Sequence, residues 1–260
     1  MRSILGADER QLTLIEEWIT NGVSLDFTSL PDSVDFENTH MVIDHAAEVR
    51  QRLQEYIQLR AITPLPADHP CPFGVQPLHV IIKENKKPRL VIDLSRNLNK
   101  NLQYEYFHYA NLTEATDAAK PGSWFVKLDL SNCYLSFPLH SATFPHFIFR
   151  FEGHLYQFVR MPFGLSSAPR ICTMLLSVLH HRIVAECSSL LTALIRYLDD
   201  LLFITPSQSA AQFVLETAQR VIRAFGLVVN RDKTEGPAQV ISFLGVQLDS
   251  IRCTLSCTSE

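Results

Sequence analysis

Apolar positions recur along this chain with two periods. Spacings of three and four predict helices over 9–20, 42–59 and 168–185. In the second, Val42, Ala46, Val49, Leu53, Ile57 and Leu59 form the stripe; in the third, Ile171, Met174, Leu175, Val178, Leu179 and Val184 do. Thr205-Pro206 reads as a further helix start, with a threonine cap and a proline in the first turn, and Gly226 as its stop. Short apolar runs predict strands: Leu78–Ile82 and Leu90–Leu94 as a hairpin around KENKKP, then 124–130, then a second hairpin over 146–151 and 154–159. Two further runs within 192–204 flank an acidic doublet, and Val228–Val229 and Ile241–Leu248 complete the strands. A loop and a short helix are expected over 98–120, with a turn at Pro121-Gly122. Segment 21–40 has little periodicity and several acids, which predicts a peripheral extension ordered only in part. Helices interspersed among mainly antiparallel strands predict an α+β layer structure.

Composition bounds this picture. The 260 residues are 47% hydrophobic with 16 Phe, enough for a sizeable core. No apolar run reaches the length of a membrane span, and MRSILGADERQ lacks a signal-peptide core. Six Cys, at 71, 133, 172, 187, 253 and 257, form no zinc pattern with His, and reduced thiols in the cytoplasm or nucleus are expected. The net charge of −4 argues at first against nucleic acid, but it is unevenly spread. Residues 1–57 carry −7 and the remainder +3. Lys83, Lys86, Lys87, Arg89, Arg96 and Lys100 lie close together against only Glu84 and Asp93, a local patch suited to phosphates.

Three acids stand in apolar surroundings. Asp129 lies within the run WFVKLDL, apolar but for it and Lys127, where a lone buried carboxylate would be costly. Asp199 and Asp200 sit between Leu198 and the run Leu201–Ile204, so they are no solvated charge run. Neighbours on one strand face opposite ways, and a tight turn that exposes both acids at its tip resolves this. Three carboxylates at one sheet edge repel unless a cation neutralises them, and magnesium prefers such oxygen ligands. Spacing alone leaves open that the acids are unrelated, Asp129 capping a strand and the doublet lying in a turn.

The motifs add a family. KPRLVIDLSRNLN (87–99), VKLDLSNCYLSFPL (126–139), MPFGLSSAP (161–169), YLDD (197–200) and FGLVVNRDKTEGPAQVISFLGVQLDS (225–250) stand in the order found in reverse transcriptases. The chain resembles their fingers and palm, in the style of long-terminal-repeat or tyrosine-recombinase retroelements, including domesticated or thumbless members. The resemblance implies a right-hand polymerase palm, an antiparallel sheet backed by helices, with a fingers subdomain. It makes Asp129, Asp199 and Asp200 the metal ligands and catalytic acids, the first two principal. Arg89 takes the place of the arginine on the incoming triphosphate, and Lys83 or Lys86 that of a neighbouring lysine. Tyr134 takes the place of the gate against the ribose 2′-OH. Phe163 lies beside the nascent base pair, and Lys233 is the lysine proposed to protonate pyrophosphate. Asn132 stands where retroviral enzymes often have a second aspartate.

These parts imply a DNA polymerase on an RNA or DNA template, with two Mg²⁺ ions, for which Mn²⁺ can substitute. Primer–template and dNTP would be its partners. Residues 1–40 are expected as an acidic extension, 41–125 as fingers, 126–250 as palm (140–160 shared with the fingers) and 251–260 as a tail. No thumb is expected within this length, so a protein partner or a second copy would supply one. The competing expectation is a domesticated fold serving as a non-catalytic binding or assembly module.

Overall fold

A computed structural model of the chain describes residues 9–84, 86–103 and 112–258. Two compact units divide it, one built from the described parts of 107–133 and 173–260, the other from those of 7–106 and 134–172. Each unit is thus assembled from separated stretches of chain.

The first unit centres on a four-stranded antiparallel sheet in the order Glu235–Ala238, Trp124–Asp129, Asp200–Thr205, Ala193–Tyr197. The central pair runs in register from Trp124↔Thr205 to Asp129↔Asp200. Alternation therefore sorts side chains into two faces. Phe125, Ile195, Leu202 and Ile204 join an apolar cluster with Ile241, Phe243 and Leu248 of the hairpin Val240–Phe243/Val246–Asp249. Removing each such side chain from water is worth about 1.5–3 kcal/mol. Val126, Leu128, Leu201 and Phe203 alternate onto the other face and are fully buried. The helix Gln208–Ala224 contacts the strands Trp124–Asp129, Asp200–Thr205 and Glu235–Ala238. This is the expected antiparallel sheet backed by helix.

The second unit holds the hairpin Leu78–Lys83/Lys86–Ile92 and the three-stranded sheet Ile62–Leu65, His154–Phe158, Ile148–Phe151. Both hairpins read from the apolar runs are present.

Several local expectations are corrected. Segment 21–40 is integrated, not peripheral: Val23 is buried and bridges Leu139, Thr28 N–H donates to Asn101 O, and Val34–Asp35 pairs with Gly74–Val75. Its anchors are backbone groups, which a search for apolar periodicity does not detect. The helix expected over 42–59 is two helices, His40–Asp44 and Ala46–Gln58, parted at His45, and Leu59 is exposed. Thr205 caps no helix. It ends a strand, its hydroxyl donates to Trp124 O, and Ser207 is the cap, accepting from Ala210 N–H. Val228–Val229 forms only a bridge from Val229 to Leu130. Thr254–Cys257, expected in a tail, pairs with Val246–Asp249 as a third strand. Of the stretch 98–120, the described residues form a short 3-10 turn at Leu98–Asn101 and a helix at Leu112–Ala118; residues 104–111 lie outside the described residues. Among the described residues no disulfide forms, and no helix is long and apolar enough to cross a membrane.

Candidate active site

The acids come together through strand register. Asp129 ends its strand directly opposite Asp200, the first residue of the next. Leu198 and Asp199 make the two-residue turn between Tyr197 and Asp200, and Leu198 adopts φ 55°, the positive φ that such tight hairpin turns require. The doublet is thus not a pair at an exposed tip: Asp199 is in the turn, Asp200 is on the strand, and both are partly buried. Leu130 N–H donates to Asp199 O at 3.0 Å, and Asn230 N–H donates to Asp129 O at 2.8 Å, tying the turn and the 230–233 segment to the end of the Asp129 strand.

Asp129 is 4% exposed and accepts from Lys233 Nζ at 2.8 Å. Burial pushes Asp200 up to about 6, with repulsion from Asp199 and Asp129 adding to it and Lys233 and Lys127 partly offsetting it. Burial acts to lower Lys233, but its hydrogen bond to Asp129 and the charges of all three acids outweigh this, so its pKa lies above the ordinary value. Lys127, two residues before Asp129 and on the same sheet face, donates to Glu235 and to Ser242 O. The sequence reading missed Lys127 as part of this field. Its position inside an apolar strand, two residues from an aspartate, was the available signal.

The donor set suits a hard divalent cation: oxygen ligands only, with a mutual repulsion that a cation would relieve. As the side chains stand, no group of three or more His, Cys, Asp or Glu among the described residues is arranged to hold a metal ion. Lys233 supplies the positive charge at Asp129 instead.

The second unit gathers Arg89, Phe163 and Tyr134. The Arg89 guanidinium lies 4.6 Å over the Phe163 ring, and the Phe163 and Tyr134 rings are 5.4 Å apart and tilted. Backbone contacts fix Phe163. Its carbonyl accepts from Ile92 N–H at 3.1 Å, and Gly164, at φ 106°, lies so close that a Cβ there would be 1.9 Å from Ile92 O. Asn99 clamps the same turn, donating to Gly164 O and accepting from Ser166 N–H. Asn99 is the last residue of the block KPRLVIDLSRNLN, a position to which the motif alone gave no role. Lys83 and Lys86 sit directly opposite one another across the first hairpin, exposed and in no ion pair among the described residues, a like-charge pairing that costs stability. Lys87 reaches Glu55 at 3.5 Å.

Residues 48–248 match the family described as reverse transcriptase (RNA-dependent DNA polymerase). The chain belongs to the reverse transcriptase family. Relatives include Protein P of a duck hepatitis B virus, 25% identical over 170 residues, covering 64% of this chain and 21% of that protein. The retrovirus-related Pol polyprotein from transposon opus of Drosophila melanogaster is 22% identical over 228 residues, covering 86% of this chain and 22% of that protein. The chain therefore spans about a fifth of the length of these curated relatives. A solved structure of the foamy viral protease–reverse transcriptase in complex with double-stranded DNA has the same fold, with a TM-score of 0.73 at 15% identity, covering 99% of this chain and 46% of that one. This reverse transcriptase chain thus has the α+β palm-and-fingers fold of right-hand polymerases.

Proposed function

We propose that this reverse transcriptase chain is the fingers and palm of a DNA polymerase that adds dNTPs to a primer 3′-OH on an RNA or DNA template. Its palm is the first unit, the described parts of 107–133 and 173–260, and its fingers are the second, those of 7–106 and 134–172. The pairing of Asp129 with Asp200, with Asp199 in the adjoining turn, carries this reading.

Asp129 and Asp199 are the principal metal ligands, and Asp200 supports them. When bound there, two Mg²⁺ ions (or Mn²⁺) lower the pKa of the primer hydroxyl and offset charge on the leaving pyrophosphate. Lys233 keeps its proton at neutral pH, so it can balance Asp129 and donate a proton to the leaving group. Arg89, preset on the Phe163 ring, grips the triphosphate, with Lys83 or Lys86 adding charge. Tyr134, braced by Phe163, excludes a 2′-OH, so deoxynucleotides are preferred.

Primer extension on annealed RNA and DNA templates, with dNTPs and either metal, tests this. Extension is expected from the chain, and the double variant Asp199→Asn/Asp200→Asn should abolish it. Failure to extend across templates and metals would overturn the polymerase reading and leave the fold as a binding or assembly module.

A further inference from the structure

The first unit holds a cavity of about 350 Å³ that no step above uses. One wall is a face of the helix Ala168–Cys187, where Ser177, His180, His181 and Val184 recur at helical spacing. The other is the sheet-edge strand Ala193–Tyr197, through Leu194 and Arg196. Asp200 pairs with Tyr197 and Leu201 with Arg196, so Arg196 projects from the sheet face opposite the one that carries Asp129 and Asp200. The cavity is therefore separate from the carboxylate site.

His180 is 3% exposed, and neither ring nitrogen has a hydrogen-bond partner among the described residues. Burial, with the Arg196 charge adding to it, holds the ring's pKa down at about 3, so the ring is neutral at pH 7 and offers one donor and one acceptor. Leaving both unmet costs stability, commonly about 1–3 kcal/mol per group, which a purely structural residue at this position would avoid. Arg196 is exposed and forms no ion pair among the described residues. Ser188 and Thr192 add hydroxyls to the rim. A fixed cation, a neutral donor–acceptor ring and hydroxyls around a space of ligand size suit one chemistry.

We propose that this cavity binds a small oxyanion ligand that also bears a hydrogen-bonding edge. The anion meets Arg196, and the edge meets His180 once the ring turns into the cavity. A nucleoside monophosphate has both features; inorganic phosphate and malate separate the phosphate and carboxylate sources of the anion.

The test is thermal unfolding of the full chain with AMP, inorganic phosphate or malate, paired with NMR of the histidine ring nitrogens. At a ligand concentration near 100 times its Kd, a rise of about 5 °C or more is expected with at least one probe, together with a shift of the His180 nitrogens. Arg196→Ala and His180→Phe should each remove the rise, whereas Arg89→Ala, which removes a nucleotide contact of the other unit, should retain it. His180→Phe should also raise the unfolding temperature of the unliganded chain, since it removes two unpartnered polar atoms. No saturable effect from any probe would overturn the proposal, as would an effect that survives Arg196→Ala. If only His180→Phe is stabilising and no probe binds, the cavity holds water alone and the proposal fails.

Discussion

The Asp129 sheet edge and the Arg89–Phe163–Tyr134 group are both sites for charge, yet they are built on opposite plans. At the sheet edge, backbone register forces like charges together. Asp129 and Asp200 are paired by the strands that carry them, and the cost shows in Asp200, driven toward its neutral form by burial and its neighbours. In the second group, stacking and close backbone approach hold one cation over an aromatic ring, in no ion pair among the described residues. The first holds a repulsion that cations relieve; the second holds a cation ready for an anion. A polymerase needs both, because metal ions and triphosphate carry opposite charge.

The comparison can be broken most decisively at the acids. Asp199→Asn/Asp200→Asn should reduce primer extension by about 10³-fold or more, measured as single-turnover incorporation. An equal loss from Arg89→Ala would erase the distinction between the two sites.

Gly164→Ala should come next. Its Cβ would meet Ile92 O at 1.9 Å in a backbone conformation that favours glycine, so about 2–4 kcal/mol of stability should be lost, read by urea unfolding. A neutral result would mean that Phe163 is not held by this approach.

Asp200→Asn alone should stabilise the metal-free chain at pH 7, by about 1–2 kcal/mol given the partial exposure of the group. The sign follows from the raised pKa. The folded state binds the proton more tightly than the unfolded chain, so stability contributed by Asp200 falls as pH rises from 3.8 to about 6. The advantage of the variant should therefore vanish below pH 4, and Mg²⁺ should shrink it at pH 7. The second unit offers a contrast of opposite sign. His146, stacked on Phe73 at 3.9 Å, is held down at about 4 by burial. Its unfolded form takes up a proton first, so the stability it contributes is lost as pH falls from 6.5 to about 4, and His146→Leu should flatten that part of the profile.

Phe163→Ala should have the smallest effect. Loss of one cation–π contact is worth about 0.5–1 kcal/mol, so KM for dNTP should rise about two- to fivefold with kcat little changed. A fall in kcat alone would place Phe163 in the chemical step instead.

Much of this is legible in the amino-acid sequence alone. The hairpins, the central strand, the long helices and the five motif blocks depend on local periodicity and turn chemistry, which neighbouring residues set among themselves. Where the reading slipped, a distant partner decided. Thr205 looked like a cap until Trp124 took its hydroxyl, and segment 21–40 looked loose until its backbone found Leu139, Asn101 and Gly74–Val75. His45 parts two helices whose apolar stripe had suggested one.

The same division holds at the site. The sequence by itself determined which acids and cations exist, their order, and a tight turn within YLDD. Only the tertiary structure decided that Asp200 lies against Asp129, that Lys233 pairs with Asp129, that Gly164 seats Phe163 beneath Arg89, and that His180 is buried beside Arg196 without a hydrogen-bond partner among the described residues. The reason is physical. Turn and helix preferences are short-range, whereas strand register, ion pairing and burial join residues far apart in the chain, and their energies are set only when the pieces meet.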